Sequence, residues 1–210
     1  MYVPAPFAFP PGETNVLFDI MAAHPFAVLT VTLEGSLEAV HLPVVVDRDR
    51  GPYGTLRAHV ARANPIWRAF GGGEALVVFQ GEHAYVSPDW YATPGLVPTW
   101  NYVAVHAYGV PRIVEDPERV RALLADLSAA SEAGLAPKPP WTLGALPQAQ
   151  MGAMLNGIVA FEIPLARIEG KRKLSQNRSA EDISGVAAAL GALDGEGNRA
   201  VADLMIAARG

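Results

Sequence analysis

Between Phe26 and Val60 the chain is cut into short β-branched runs by turns rich in glycine and proline, and no other feature restricts the fold as strongly. FAVLTVTLEG reads as a strand closed by Gly35, and SLEAVHLPVVVD as a second strand. TLRAHV is a third, reached through the turn DRDRGPYG. Together they predict an antiparallel meander. Upstream, TNVLFDIMAAH has a capped helical start at Thr14 and is stopped by Pro25.

Downstream, Asn64 and Pro65 are the cap and first residue of a short helix that ends in GGGE. ALVVFQGEHAYVSP is one long strand or a bent pair, with Gly81 at the kink. TWNYVAVHAYGVPRIV is another long strand with a Gly-Pro break, and IVAFEIPLARIEG is the last. EDPERVRALLADLSAASE has helical spacing, LPQAQMGAMLNG reads as a further helix, and a pair of helices flanks DGEG near the end. Five or six strands with peripheral helices predict a mainly β, α+β fold: an antiparallel barrel with helical decoration.

Half the residues are hydrophobic and 18% are charged, so the chain can bury a sizeable core. It has no cysteine, which rules out disulfides, thiolate metal sites and thiol nucleophiles. The five histidines are too scattered to read as a metal site. A net charge of −5 argues against broad nucleic-acid binding, which rests on basic surface. The mean hydropathy of +0.19 is high. It fits either apolar surface covered by a second subunit or a core rich in Ala and Val. MYVPAPFAFPPGE lacks the pattern of a signal peptide, and no run of about 18 uncharged apolar residues occurs, so a soluble cytoplasmic protein is expected.

Four clusters carry chemistry. In TLRAHV, Arg57 and His59 share a face opposite Leu56, Ala58 and Val60, and Arg62 and Asn64 stand at the exit where a helix begins. His59, Arg62 and Asn64 at a helix start suit an anion such as phosphate. The alternative for Asn64 is capping alone, and for Arg57 a solvated face. His41, Leu42 and Pro43 lie on the preceding strand, where a proline marks an edge or a close approach by another group. In VPTWNYVAVHAYG, Trp100, Tyr102 and His106 share one face and Asn101 lies on the other, an aromatic arrangement suited to a flat heteroaromatic ligand or to a core plug. EGKRKLSQNRS gathers Lys171, Arg172, Lys173 and Arg178 around Ser175, Gln176 and Asn177, as a loop closing over an anionic ligand would.

MYVPAPF, VHLPVVV, LRAHVARANPIW, FQGEHAYVSPDWY, VPTWNYVAVHAYG and KLSQNRS, in this order, closely resemble the PaiB-like, FMN-binding negative transcriptional regulator family. The likeness runs from residue 1 to about 190. It implies a Greek-key split β-barrel of the flavin-nucleotide type, related to pyridoxamine phosphate oxidases, over 1–190, with 191–210 a helical tail packed on the same domain. It implies FMN as cofactor and a homodimer with FMN at the subunit interface. His59, Arg62 and Asn64 then hold the phosphate, and His41, Leu42 and Pro43 run beside the isoalloxazine edge. Trp100, Asn101, Lys173, Ser175 and Gln176 form the other wall, from the same subunit or from its partner.

The family name implies a flavin-dependent transcriptional regulator. The competing classes are a flavin oxidoreductase, taking electrons from a reduced nicotinamide to an unknown acceptor, and a flavin store or sensor without turnover. No catalytic residue is assigned, since the flavin carries the redox chemistry. Direct DNA binding is doubtful. The second tail helix offers only Arg199 and Arg209 as cations, against Asp203, where a recognition helix carries several groups able to reach bases and phosphates.

Overall fold

The computed structural model describes residues 1–208, with the backbone alone at 148 and 149. Among these, eight strands and five α-helices alternate with short 3₁₀ turns. The strands are β1 (Phe26–Leu33), β2 (Ser36–Pro43), β3 (Val45–Asp47), β4 (Thr55–Ala61), β5 (Ala75–Val86), β6 (Thr99–Gly109), β7 (Arg112–Ile113) and β8 (Ile158–Lys173). The helices are α1 (Thr14–Ala23), α2 (Pro117–Glu132), α3 (Gln148–Asn156), α4 (Ala180–Ala192) and α5 (Glu196–Ala207). The hydrogen-bonded order is β2-β1-β5-β6-β8-β4-β3, with β7 also on β8.

β1 and β2 form the predicted hairpin. Leu33 pairs with Ser36, so the loop has two residues, Glu34 and Gly35, with φ of 51° and 83°. Positive φ at both positions is what a two-residue hairpin matched to strand twist requires. The structure corrects one expectation here. SLEAVHLPVVVD is two strands, broken at Val44, whose N–H is donated to the carbonyl of Pro25 instead of continuing the ladder. β2 pairs only with β1, and β3 pairs with β4 in the register Val45 to Arg57. β2 is therefore an edge strand, as Pro43 suggested.

The chain divides into two compact units, each built from separated stretches. One comprises Met1–Leu17, Gln80–Val105 and Glu169–Gly210; the other comprises Phe18–Phe79 and His106–Ile168. β5 passes from one to the other at Gln80, and its buried positions change parity nearby. Ala75, Val77 and Phe79 are buried before Gly81, and Ala84 and Val86 after it. Gly81 is still buried in phase with Phe79, so the phase changes between Gly81 and Ala84 rather than at the glycine.

In the unit containing β1 to β4, Leu56, Ala58 and Val60 are buried while Arg57 and His59 are half-buried on the opposite face. β4 pairs with β8, placing Arg57 beside Glu162 and His59 beside Ala160. Helix α2, capped by Asp116, lays Val120, Leu123, Leu124 and Leu127 against Ala160. Gly109 sits where any Cβ would come within 2.3 Å of the Pro164 carbonyl, so this close approach of β6 to β8 admits glycine alone. In the other unit, α4 and α5 bury Val186, Leu190, Val201, Ala202 and Met205 with Ala84, Val86 and Tyr91.

Candidate flavin site

The polar corner at the end of β4 is built as follows. Asn64 caps a five-residue 3₁₀ helix, Pro65–Ala69, its Oδ1 accepting from the Ile66 N–H at 3.0 Å. The expectation of free N–H donors at a helix start is corrected. The element is too short to develop a dipole, Pro65 has no N–H, and Asn64 satisfies the next donor. Any anion binding here rests on side chains. Asn64 keeps its Nδ2 as a donor.

Arg62 is fixed by backbone. Its own N–H is donated to the Gly157 carbonyl at 2.8 Å. Its Nε donates to the Asn156 carbonyl and its Nη2 to the Ile158 carbonyl, each at 2.7 Å. The indole N–H of Trp67 donates to the Arg62 carbonyl at 3.0 Å. The guanidinium is thus held in one orientation by neutral oxygens, with Nη1 uncommitted. Arg62 and Trp67 line a cavity of about 400 Å³ whose other walls include Val114, Glu115, Val120, Asn156 and Ile158.

His59 lies on the face of β4 toward Ala160 and is not among the residues lining that cavity. Its Nδ1 is buried without a hydrogen-bond partner, and burial holds its pKa below the ordinary histidine value, so the ring is neutral at pH 7. A buried polar atom without a partner costs free energy, and a ligand that bonds it recovers that cost. Arg57, on the same face, is committed elsewhere. It is bidentate to Asp47 at 2.6 and 2.8 Å and reaches Asp126 at 2.7 Å. His41 is exposed and stacks on Phe26 with centroids 6.1 Å apart, Leu42 is buried, and Pro43 is exposed. As β2 is an edge, one side of its backbone is open around these three residues.

The other unit holds the remaining five. Asn101 is fully buried, donating through Nδ2 to Ser175 Oγ at 3.0 Å and touching Met205 Sδ at 3.3 Å. Ser175 has φ of 64°, a left-handed conformation uncommon outside glycine. Gln176 closes the same turn, accepting from the Leu174 N–H at 2.7 Å and donating to the Arg172 carbonyl at 2.8 Å. Lys173 Nζ donates to Thr99 Oγ1 and to the Trp100 carbonyl, the latter at 2.6 Å. Burial, then the charges of Lys171 and Arg178, lower the Lys173 pKa. The Trp100 indole is 54% exposed and meets His83 and Tyr85 with centroids 6.3 and 5.9 Å away. Asn101, Ser175 and Gln176 therefore build a turn, while Trp100 and Lys173 present groups at its edge.

Two further residues stand beside these groups. Trp67 was legible only as the end of LRAHVARANPIW. Lys171 stood in the basic run, but nothing in its spacing showed that it lies 5.2 Å from the Tyr102 ring and 5.7 Å from the Tyr2 ring.

Comparison with known proteins defines the class. Residues 1–167 match the family described as "Putative FMN-binding domain", and the chain belongs to that family. FMN is its cofactor, and an FMN-binding split barrel its fold. Over 206 residues the chain is 33% identical to Bacillus subtilis "Protease synthase and sporulation protein PAI 2", covering 98% of this chain and 96% of that one. It is 28% identical over 232 residues to an uncharacterized protein of Emericella nidulans, covering 92% of each. The FAD and heme binding protein from Mycobacterium smegmatis shares the fold with a TM-score of 0.57 at 17% identity, over 83% of this chain and 77% of that one.

In the unit of β1 to β4 the side chains present fit FMN: a fixed guanidinium with an edge uncommitted among the described residues, an orphaned buried imidazole nitrogen and an open strand edge. No described helix is long and apolar enough to cross a membrane.

Proposed function

We propose that the chain is a flavin-dependent transcriptional regulator that works as a homodimer and without a DNA-reading helix of its own. The observation that carries this reading is the end-to-end likeness to PAI 2, whose name ties that protein to protease synthesis and sporulation. The tail helices support the second half of it. α5 buries Val201, Ala202 and Met205 in its own unit, and its one described arginine, Arg199, stands with Glu196 and Asp203. Arg209 lies outside the described residues.

In this reading His59, Arg62 and Asn64 hold the FMN phosphate, through Arg62 Nη1, Asn64 Nδ2 and the His59 ring. The backbone of His41, Leu42 and Pro43 reads the donors and acceptors of the isoalloxazine edge. Trp100 and Lys173, of this subunit or of its partner, contact the flavin, and Asn101, Ser175 and Gln176 hold the turn that positions Lys173. Bound FMN supplies a redox-active ring; the protein binds and orients it. The homodimer is the assembly that the family resemblance implies, and the mean hydropathy of +0.19 fits it as well as it fits a core rich in Ala and Val.

A reporter fused to promoters that respond to loss of the gene tests the regulator. The parent gene restores repression, and Arg62→Ala does not. Equal repression by both removes flavin from the regulation. A mobility shift with the same promoters at low salt is expected to show no complex with the purified protein alone.

A further inference from the structure

Arg57 of β4 and Glu162 of β8 are cross-strand partners, so their side chains share one face of the sheet with His59 and Ala160. Helix α2 packs on that face; the buried Leu56, Ala58 and Val60 point the other way. The stripe Val120, Leu123, Leu124 and Leu127 meets one buried sheet residue, Ala160, and otherwise partly buried side chains such as Val45, Val114 and Ile158. Three cavities border the helix. One of about 110 Å³ lies beside Leu123, Arg57 and Arg119, and one of about 550 Å³ beside Ala122 and Ala125. The third is the cavity of about 400 Å³ lined by Arg62, to which α2 contributes Pro117 and Val120. A helix so bordered forgoes part of the dispersion energy that close packing supplies.

Two ion pairs supplement that contact. Arg119 Nη2 donates to Glu162 at 2.6 Å, and Asp126 accepts from Arg57 at 2.7 Å. The helix side chains of these pairs are 50% and 49% exposed, and their sheet partners 14% and 16%. The sheet charges do not depend on the helix. Glu162 also accepts from Arg50 at 2.7 Å, and Arg57 is bidentate to Asp47. Lifting α2 therefore leaves neither of them buried alone, and Arg119 and Asp126 pass to water at small cost.

We propose that α2 is a lid, latched by Arg119 to Glu162 and by Asp126 to Arg57, that lifts from the β4–β8 face to open the Arg62 cavity. An anionic ligand then reaches the Arg62 guanidinium only while the latch is open. The lid is a property of the fold and stands without FMN; that FMN is the ligand it admits rests on the function proposed above.

The chain has no cysteine, so a single introduced thiol reports the opening. Leu123→Cys places it under α2. Leu56→Cys, the same substitution at an equally buried position of the same unit, reports unfolding of that unit. In the flavin-free full-length protein, dithionitrobenzoate is expected to label Leu123→Cys about tenfold faster than Leu56→Cys, or more. Arg119→Gln combined with Asp126→Asn is expected to quicken labelling of Leu123→Cys by about three- to tenfold and to leave that of Leu56→Cys within about twofold. Circular dichroism checks each fold, and Leu127→Cys serves where Leu123→Cys is unfolded. Equal rates for Leu123→Cys and Leu56→Cys, or labelling of Leu123→Cys that the double variant leaves unchanged, overturns the lid. Stopped-flow mixing with FMN tests the gate: the double variant should quicken association and dissociation by one factor and keep the parent's affinity. FMN binding at an unchanged association rate overturns the gate. A parent that binds no FMN removes the flavin reading, and the labelling rates still decide the lid.

Discussion

Asn101 and Ser175, 74 residues apart in sequence, are bonded twice: Asn101 Nδ2 donates to Ser175 Oγ at 3.0 Å, and Ser175 Oγ donates to Asn101 Oδ1 at 3.2 Å. Both residues are buried. The pair ties β6 to the turn after β8 and holds Ser175 at its positive φ. Asn101→Ala leaves a buried hydroxyl without its partner, which costs about 1 to 3 kcal/mol. Urea unfolding should show that loss in the midpoint with an unchanged slope. Ser175→Gly leaves the buried Asn101 amide with Met205 Sδ alone, and relief of the left-handed penalty offsets part of that cost.

Arg62 is expected to discriminate between flavins. Losing one charged hydrogen bond to phosphate costs about 1.5 to 3 kcal/mol, or roughly ten- to a hundredfold in affinity. Arg62→Ala should weaken FMN by that factor and riboflavin, which has no phosphate, hardly at all. Fluorescence titration with the two flavins measures both. Equal losses for FMN and riboflavin would move the phosphate elsewhere.

The burial of His59 predicts a pH dependence of stability. Its folded pKa lies below the unfolded value of 6.5. Above pH 6.5 both states carry a neutral ring, and the contribution is level. As pH falls below 6.5 the unfolded chain takes up a proton that the folded chain refuses, so stability declines until the pH passes the folded value. His59→Phe should flatten this segment of a plot of unfolding midpoint against pH. Bound phosphate favours the protonated ring, so FMN should flatten it in the parent as well.

Arg57 is a structural counterpart to Arg62. Burial alone would raise the Asp47 pKa, but hydrogen bonds from Arg57 and Arg50 outweigh it and leave the pKa lowered. The stability from Asp47 is present above its unfolded value of 3.8 and lost as the pH falls through the folded one. Arg57→Ala should cost about 2 to 4 kcal/mol, because it leaves a partly buried carboxylate short of its partner. It should leave FMN affinity within twofold of the parent, by urea unfolding and fluorescence titration.

The β1–β2 hairpin was legible in the sequence because Gly35 and the β-branched runs are local signals, and the Asn64–Pro65 cap because its partner, Ile66, is two residues away, but the predicted meander resolves into two separate strand pairs. The break at Val44 was not. Alternation runs unbroken through LPVVV, and only the bond to Pro25 shows that the chain changes partners there. Arg57 and Arg62 look alike in LRAHVAR. What separates a structural arginine from a free one is Asp126 in one case and the carbonyls of Asn156 and Ile158 in the other, all remote in sequence. Lys173, Ser175 and Gln176 were readable as a basic, amide-rich turn, but the division between groups that build it and groups it presents needed the bonds themselves.

Reduced nicotinamide separates regulator from reductase. FMN bound to the protein should be bleached by NADPH no faster than free FMN in stopped-flow absorbance at the flavin peak. Faster bleaching, saturating with NADPH, would place the chain among flavin oxidoreductases.

The binding of FMN itself is tested most directly by adding the flavin to purified full-length protein and passing the mixture through a desalting column. The account predicts that yellow absorbance elutes with the protein, near one flavin per chain, and that Arg62→Ala retains less. A colourless protein fraction, with all the added FMN recovered in the salt volume, would contradict it.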